Sequence, residues 1–134
     1  MDATHYFLAV LSAGVVYSFT DWFFGGILFH DKYLAYPEVW RQTGGRSETP
    51  AVAWSVVLGF LTAAAFMGVS VTFAVHGYGA LLRLAGLCWL MVPVPLLITN
   101  ALFIKIQPLT VLSHALGWLA KLAIAAIIAA WLLP

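Results

Sequence analysis

Charge is scarce in this chain: 8% of its 134 residues are Asp, Glu, Lys or Arg, with a net charge of +1. No basic patch can form from so few cations, which excludes nucleic acid as a partner. Cysteine is nearly absent. The single thiol, Cys88, excludes an internal disulfide and a cysteine metal cluster. Enzyme signatures are missing too: there is no H-E-x-x-H, no G-x-S-x-G, no phosphate loop and no closely paired carboxylates. The expectation is a protein that is not an enzyme and has no metal site.

What is present is apolar. Hydrophobic residues make up 63% of the chain and aromatics 15%, with a mean hydropathy of +0.99. A small water-soluble domain leaves too much surface exposed to hide that composition. Four runs are long enough to cross a bilayer, at 6–29, 51–75, 81–104 and 109–133. At 1.5 Å per residue each spans roughly 36 Å, enough for a ~30 Å hydrocarbon core with some tilt. The fold class is all-α, a polytopic membrane protein whose single domain covers 1–134. The first run is too long for a signal-peptide core and follows no positive charge, so it is expected to stay as span one.

Short links order the spans. Turns at His76-Gly77-Tyr78-Gly79 and Gln107-Pro108 force sequence neighbours antiparallel, predicting an up-down bundle in which span four closes against span one. In the polar stretch 30–49, Tyr33, Tyr36 and Trp40 fall at i, i+3 and i+7. Asp31, Lys32, Glu38 and Arg41 surround them, which predicts a short interfacial helix anchored by its aromatic rings. Gly44-Gly45 turns the chain, and Thr49-Pro50 reads as N-cap and first helical residue of span two. Lys32, Arg41, Arg46 and Lys105 lie on one side against Arg83 on the other. The positive-inside rule then puts loops one and three in the cytoplasm and both termini outside, in a cell inner membrane. Halves of two spans each cannot form an inverted transporter repeat, and no internal sequence repeat is present.

Two charges stand inside the apolar runs: Asp21 in span one and Lys121 in span four. Each costs about 2.5–3.5 kcal/mol at a helix centre on insertion scales, so each is expected to face a partner or a cavity. Asp21 lies roughly 12 Å from the inner end of its span and Lys121 roughly 16 Å. Side chains lean toward the N-terminus of their own helix, so the two heads converge on one level. Neighbours at helical spacing extend this to a polar seam of Ser18, Asp21, Asn100, His114 and Lys121 between spans one, three and four. The plain account is an ion pair that docks two helices. The sharper one is a site for a proton, an ion or a small polar ligand, since burial disfavours charge on both partners and a proton could pass between them.

Other features weigh less. Pro93 and Pro95 remove backbone donors in mid-span three, freeing the Trp89 and Met91 carbonyls and predicting a kink. Ser55, Gly59 and Ala63 form a small-residue stripe on span two; Ser113, Gly117, Lys121, Ala125 and Ala129 form another on span four. Such stripes allow close backbone approach, within the chain or between copies. His5, His30 and His76 sit at span ends, so a tetrapyrrole would rest on His114 alone, and no other cofactor is indicated.

The run Phe19-Thr20-Asp21-Trp22-Phe23-Phe24-Gly25-Gly26-Ile27-Leu28-Phe29, followed by Trp40 and Arg41, resembles the opening of the DUF1761 family. Asn100-Ala101-Leu102-Phe103, Gln107-Pro108 and His114-Ala115-Leu116-Gly117 are similar to its second half. The resemblance implies a small bacterial four-helix membrane protein and no particular activity. Two functions follow from the residues. The leading one is a packing or accessory subunit of a larger membrane assembly, or a homo-oligomer. The alternative is a small proton, ion or polar-solute transporter or channel built on the Asp21–Lys121 seam.

Overall fold

The computed structural model describes residues 2–31, 47–104 and 106–133. The expected interfacial anchors Tyr33, Tyr36 and Trp40 lie outside them, as do Lys32, Arg41, Arg46 and Lys105. Helix α1 runs Ala3–Asp21 and continues as a π-helical segment, Trp22–Leu28. Then come α2 (Thr49–Thr72), α3 (Tyr78–Met91), α4 (Pro93–Phe103) and α5 (Pro108–Leu132). No strand occurs among the described residues. Among the described residues, four stretches are long and apolar enough to cross a membrane: Ala3–Leu28, Thr49–Thr72, Tyr78–Phe103 and Pro108–Leu132. Between 17% and 28% of the most apolar window of each is buried within the chain, so most of that apolar surface is left for lipid. This is an all-α, multi-pass membrane protein.

Caps explain where the spans begin and end. Span one starts three residues earlier than periodicity predicts, because the Asp2 carboxylate accepts the Thr4 amide at 3.1 Å. That bond holds the Asp2 carboxyl below its usual range. Span two begins at Thr49, so Thr49 is not the N-cap; Glu48 occupies that position without a side-chain bond. The Ser47 hydroxyl accepts the Thr49 amide at 3.1 Å instead, and Pro50 falls within the first helical turn. Span two also ends three residues short of expectation. Val75 N–H donates to the Ser70 carbonyl and Ala74 N–H to that of Val71, with Ala74 at φ 49°. That is a Schellman closure, made with alanine where glycine is usual. Gly77 at φ 79° then completes the return.

Span three is divided where the prolines predict. Val92, at φ −119° and ψ −68°, separates α3 from α4, and Pro93 opens the second segment. Nothing similar was foreseen in span one. Its final seven residues, WFFGGIL, widen into a π-helix, which ends as Phe29 N–H reaches the Phe24 carbonyl at 3.0 Å.

Spans one and four form the centre. Helix α1 packs on α2 and α5, and α5 packs on α1, α3 and α4. Helices α2 and α3 have few or no mutual contacts despite their short link, so the array runs in the order two, one, four, three. Register pairs fix the direction of spans one and two. Tyr6 donates to the Ala64 carbonyl at 2.8 Å, Gly14 lies under the Phe60 ring, and Gly59 faces Tyr17. The numbers fall on one helix as they rise on the other, which is antiparallel. A Cβ on Gly14 would run into that ring, so any other residue requires Phe60 to move. Trp89 ties spans three and four by donating from its indole Nε1 to the Ala115 carbonyl at 2.8 Å. The core is built of small residues: Ala9, Ala13, Ala63, Ala125, Ala126 and Ala129 are fully buried.

Candidate functional site

Asp21 is the last residue of α1 before the helix widens, and Lys121 lies roughly 20 Å along α5 from its start. The lysine Nζ stands 2.5 Å from Asp21 Oδ1. It also lies 5.6 Å from the Trp118 ring centroid and 5.9 Å from that of Tyr17. One carboxylate and two aromatic faces therefore hold the ammonium group. The partners differ in exposure: the lysine side chain is 13% exposed and the aspartate 35%. The cation is enclosed and the anion is open.

What the anion opens onto is a cavity of about 470 Å³. Asp21, Phe24 and Gly25 line it from span one, and Ser55 from span two. Ile106, Thr110, Ser113, His114, Gly117, Trp118 and Lys121 complete the wall, all but the first from α5. These positions lie at the end of the bundle where span one finishes and spans two and four begin. Ser55 and His114 are exposed on the wall, so the space is not sealed. The stripe His114, Trp118, Lys121 follows from helical spacing, since i, i+4 and i+7 share a face. Gly25 leaves room; a Cβ there would meet nothing within 4 Å.

The expected five-residue seam divides. Asp21, His114 and Lys121 come together on the cavity. Ser18 does not join them; its hydroxyl donates to the Gly14 carbonyl of its own helix at 3.2 Å and lines a separate shallow groove with Phe19 and Trp22. Asn100 is not on the cavity wall either. Helix α4 contacts α3 and α5 but has few or no contacts with α1, because the break at Val92 re-aims it. The wall on that side comes instead from Ile106 and Thr110 at the start of span four.

Two contributors lie outside the expected five-residue seam. Tyr17 is fully buried beside Lys121, and its hydroxyl has no hydrogen-bond partner among the described residues. Its place one turn before Asp21 was a usable signal. The π-helical wall was not foreshadowed, because Gly25-Gly26 speaks of freedom and not of ring size. Among the described residues no three His, Cys, Asp or Glu side chains gather closely enough to hold a metal ion. His114 shares its cavity with a carboxylate and an ammonium group, not with a second imidazole.

Fold and site together define a membrane protein with four membrane-crossing stretches among the described residues and a cavity floored by an ion pair. No family model, no curated protein and no solved structure matches the chain.

Proposed function

We propose that this chain is a non-enzymatic integral membrane protein that receives a small polar solute, or a proton, in the cavity floored by Asp21 and Lys121. One observation carries the reading: a carboxylate inside a membrane span faces a space of about 470 Å³ and is not packed shut. A pair enclosed by apolar side chains loses all its hydration; here the carboxylate keeps a face on the cavity, where water or a solute reaches it. Pockets of this volume are in the range that holds small ligands. Past the pair, toward the chain termini, Ala9, Ala13, Ala125, Ala126 and Ala129 are fully buried. Access in this conformation is therefore from one end. Passage across the bilayer requires spans one and four to part, and the two irregular points, Val92 and the π-helical segment, are where spans can bend. With the positive-inside rule the cavity opens to the cytoplasm and the termini lie outside, in a cell inner membrane.

The accessory-subunit or homo-oligomer reading rests on the missing enzyme motifs, the scarcity of chain outside the spans and the tryptophan-rich spans with small-residue stripes. Gly59 and Ala63 are buried against span one and the Ser113–Ala129 stripe is spent within the chain, so little of either stripe is left for a partner. A place in the DUF1761 family is likewise proposed on the residues quoted above; it adds a fold and no activity.

The test is access. In a Cys88→Ala background, Ser55→Cys and Thr110→Cys should react with a membrane-impermeant thiol reagent applied to one side of the membrane only. Ala129→Cys should react from neither side. Absence of labelling at both cavity positions would sink the reading. In vesicles, proton or solute flux unchanged by Asp21→Asn would remove transport and leave binding alone.

A further inference from the structure

We propose that the cavity recognises a small primary ammonium ion, and that Lys121 is its tethered occupant in the unliganded protein. The proposal rests on the solute-cavity reading and names the class of solute. The head group of Lys121 already sits in a receptor for its own chemistry: the Asp21 carboxylate at 2.5 Å and the faces of Trp118 and Tyr17 at 5.6 and 5.9 Å. A carboxylate beside aromatic rings is the arrangement that attracts organic cations, through charge and ring quadrupole together. Both side chains line the cavity and the aspartate is the more exposed, so its carboxylate is open to an arriving solute.

The remaining wall agrees. Beyond Asp21 it offers the His114 imidazole, the hydroxyls of Ser55 and Thr110, and the Trp118 ring. Lys121 is the one Lys or Arg among the described residues that line it. Among the described residues, an anion entering here finds one cationic partner, and that one is already engaged with Asp21. A primary ammonium ion finds acceptors for three N–H donors, with ring faces for a short apolar remainder. Water takes about 30 Å³ per molecule, so the space fits a solute of on the order of fifteen non-hydrogen atoms or fewer. Competition with the tethered ammonium sets the affinity, because a ligand must displace Lys121 from Asp21 Oδ1 or share the carboxylate with it.

Removing the tether tests this directly. Lys121→Ala should be stabilised by ethylammonium chloride, its unfolding temperature rising with the logarithm of concentration, as binding to the folded state requires. The wild type should need roughly tenfold more of the same salt, because its own lysine competes. Sodium chloride and sodium acetate should give no such rise, and tetramethylammonium, which has no N–H donor, should give less. The double variant Asp21→Asn/Lys121→Ala should lose the response. If Lys121→Ala does not fold, Lys121→Met takes its place. A second measurement, on Thr110→Cys with Lys121 intact, is protection of the thiol from reagent by ethylammonium. Stabilisation by acetate, or equal stabilisation by sodium and ethylammonium, overturns the proposal. Free labelling of Ser55→Cys with no ethylammonium effect overturns it also, while leaving the solute cavity standing. No labelling at either cavity position removes the cavity reading itself.

Discussion

Asp21 and Lys121 are unequal partners, and that inequality has a measurable consequence. Removing one member of a buried pair strands the other charge, at a cost of about 3–5 kcal/mol when burial is complete. Asp21→Asn strands the enclosed lysine; Lys121→Met strands a carboxylate that still reaches the cavity. Denaturation in detergent should therefore show Asp21→Asn losing about 2 kcal/mol and Lys121→Met about 1 kcal/mol, with the double variant recovering most of the loss. Equal losses would mean that exposure does not govern the pair. Tyr17 offers a second check. Its hydroxyl is buried without a partner among the described residues, so Tyr17→Phe should leave stability unchanged or raise it by up to about 1 kcal/mol. The ring that faces Lys121 is retained in that variant. The meeting of Asp21 and Lys121 was legible in the sequence because side-chain lean is a local property of each helix. Asn100 was not, since its direction depends on a bend at Val92, eight residues away and three-dimensional in origin.

At the scale of elements, irregularity is concentrated at span ends and at two internal points. The proline break in span three could be read from composition, because a missing N–H has one consequence for a helix. The π-helical close of span one could not, since no residue type marks a five-residue hydrogen-bond ring. Boundaries differ from the expected ones by as many as three residues where capping sets them: Asp2 before span one, Ser47 before span two, Ala74 after it. The last of these stores strain. An L-residue in the left-handed region costs about 1–2 kcal/mol, which glycine does not incur. Ala74→Gly should thus stabilise the protein by about 1 kcal/mol, read as a higher unfolding temperature, provided the added freedom of the unfolded chain takes back less than that. A lower unfolding temperature would show that the Schellman closure is not the dominant state of this turn.

For the whole molecule, the governing fact is how little of it packs inward. Spans one and four hold the centre through alanines and glycines, while spans two and three flank them with few or no mutual contacts. The small-residue stripes were legible as contact surfaces; which surface they contact was not, because spacing alone does not distinguish a neighbour within the chain from one outside it. The distinction can be tested. Ala125 is fully buried, so Ala125→Leu should lower the unfolding temperature by overpacking, about 1–3 kcal/mol, without changing the species seen in native mass spectrometry. Loss of an oligomer with the fold intact would reverse that assignment and return weight to a homo-oligomer.

The ion pair also joins the first span to the last, and this dictates an order of events during synthesis. Asp21 leaves the ribosome about a hundred residues before Lys121, which at about 5–20 residues per second is on the order of ten seconds. Over that interval the nascent first span carries a carboxyl group with no cation to meet it. It must wait beside the insertion machinery until span four emerges. Chains truncated before Pro108 should accordingly integrate span one poorly, and Asp21→Leu should repair that defect in the truncated chain.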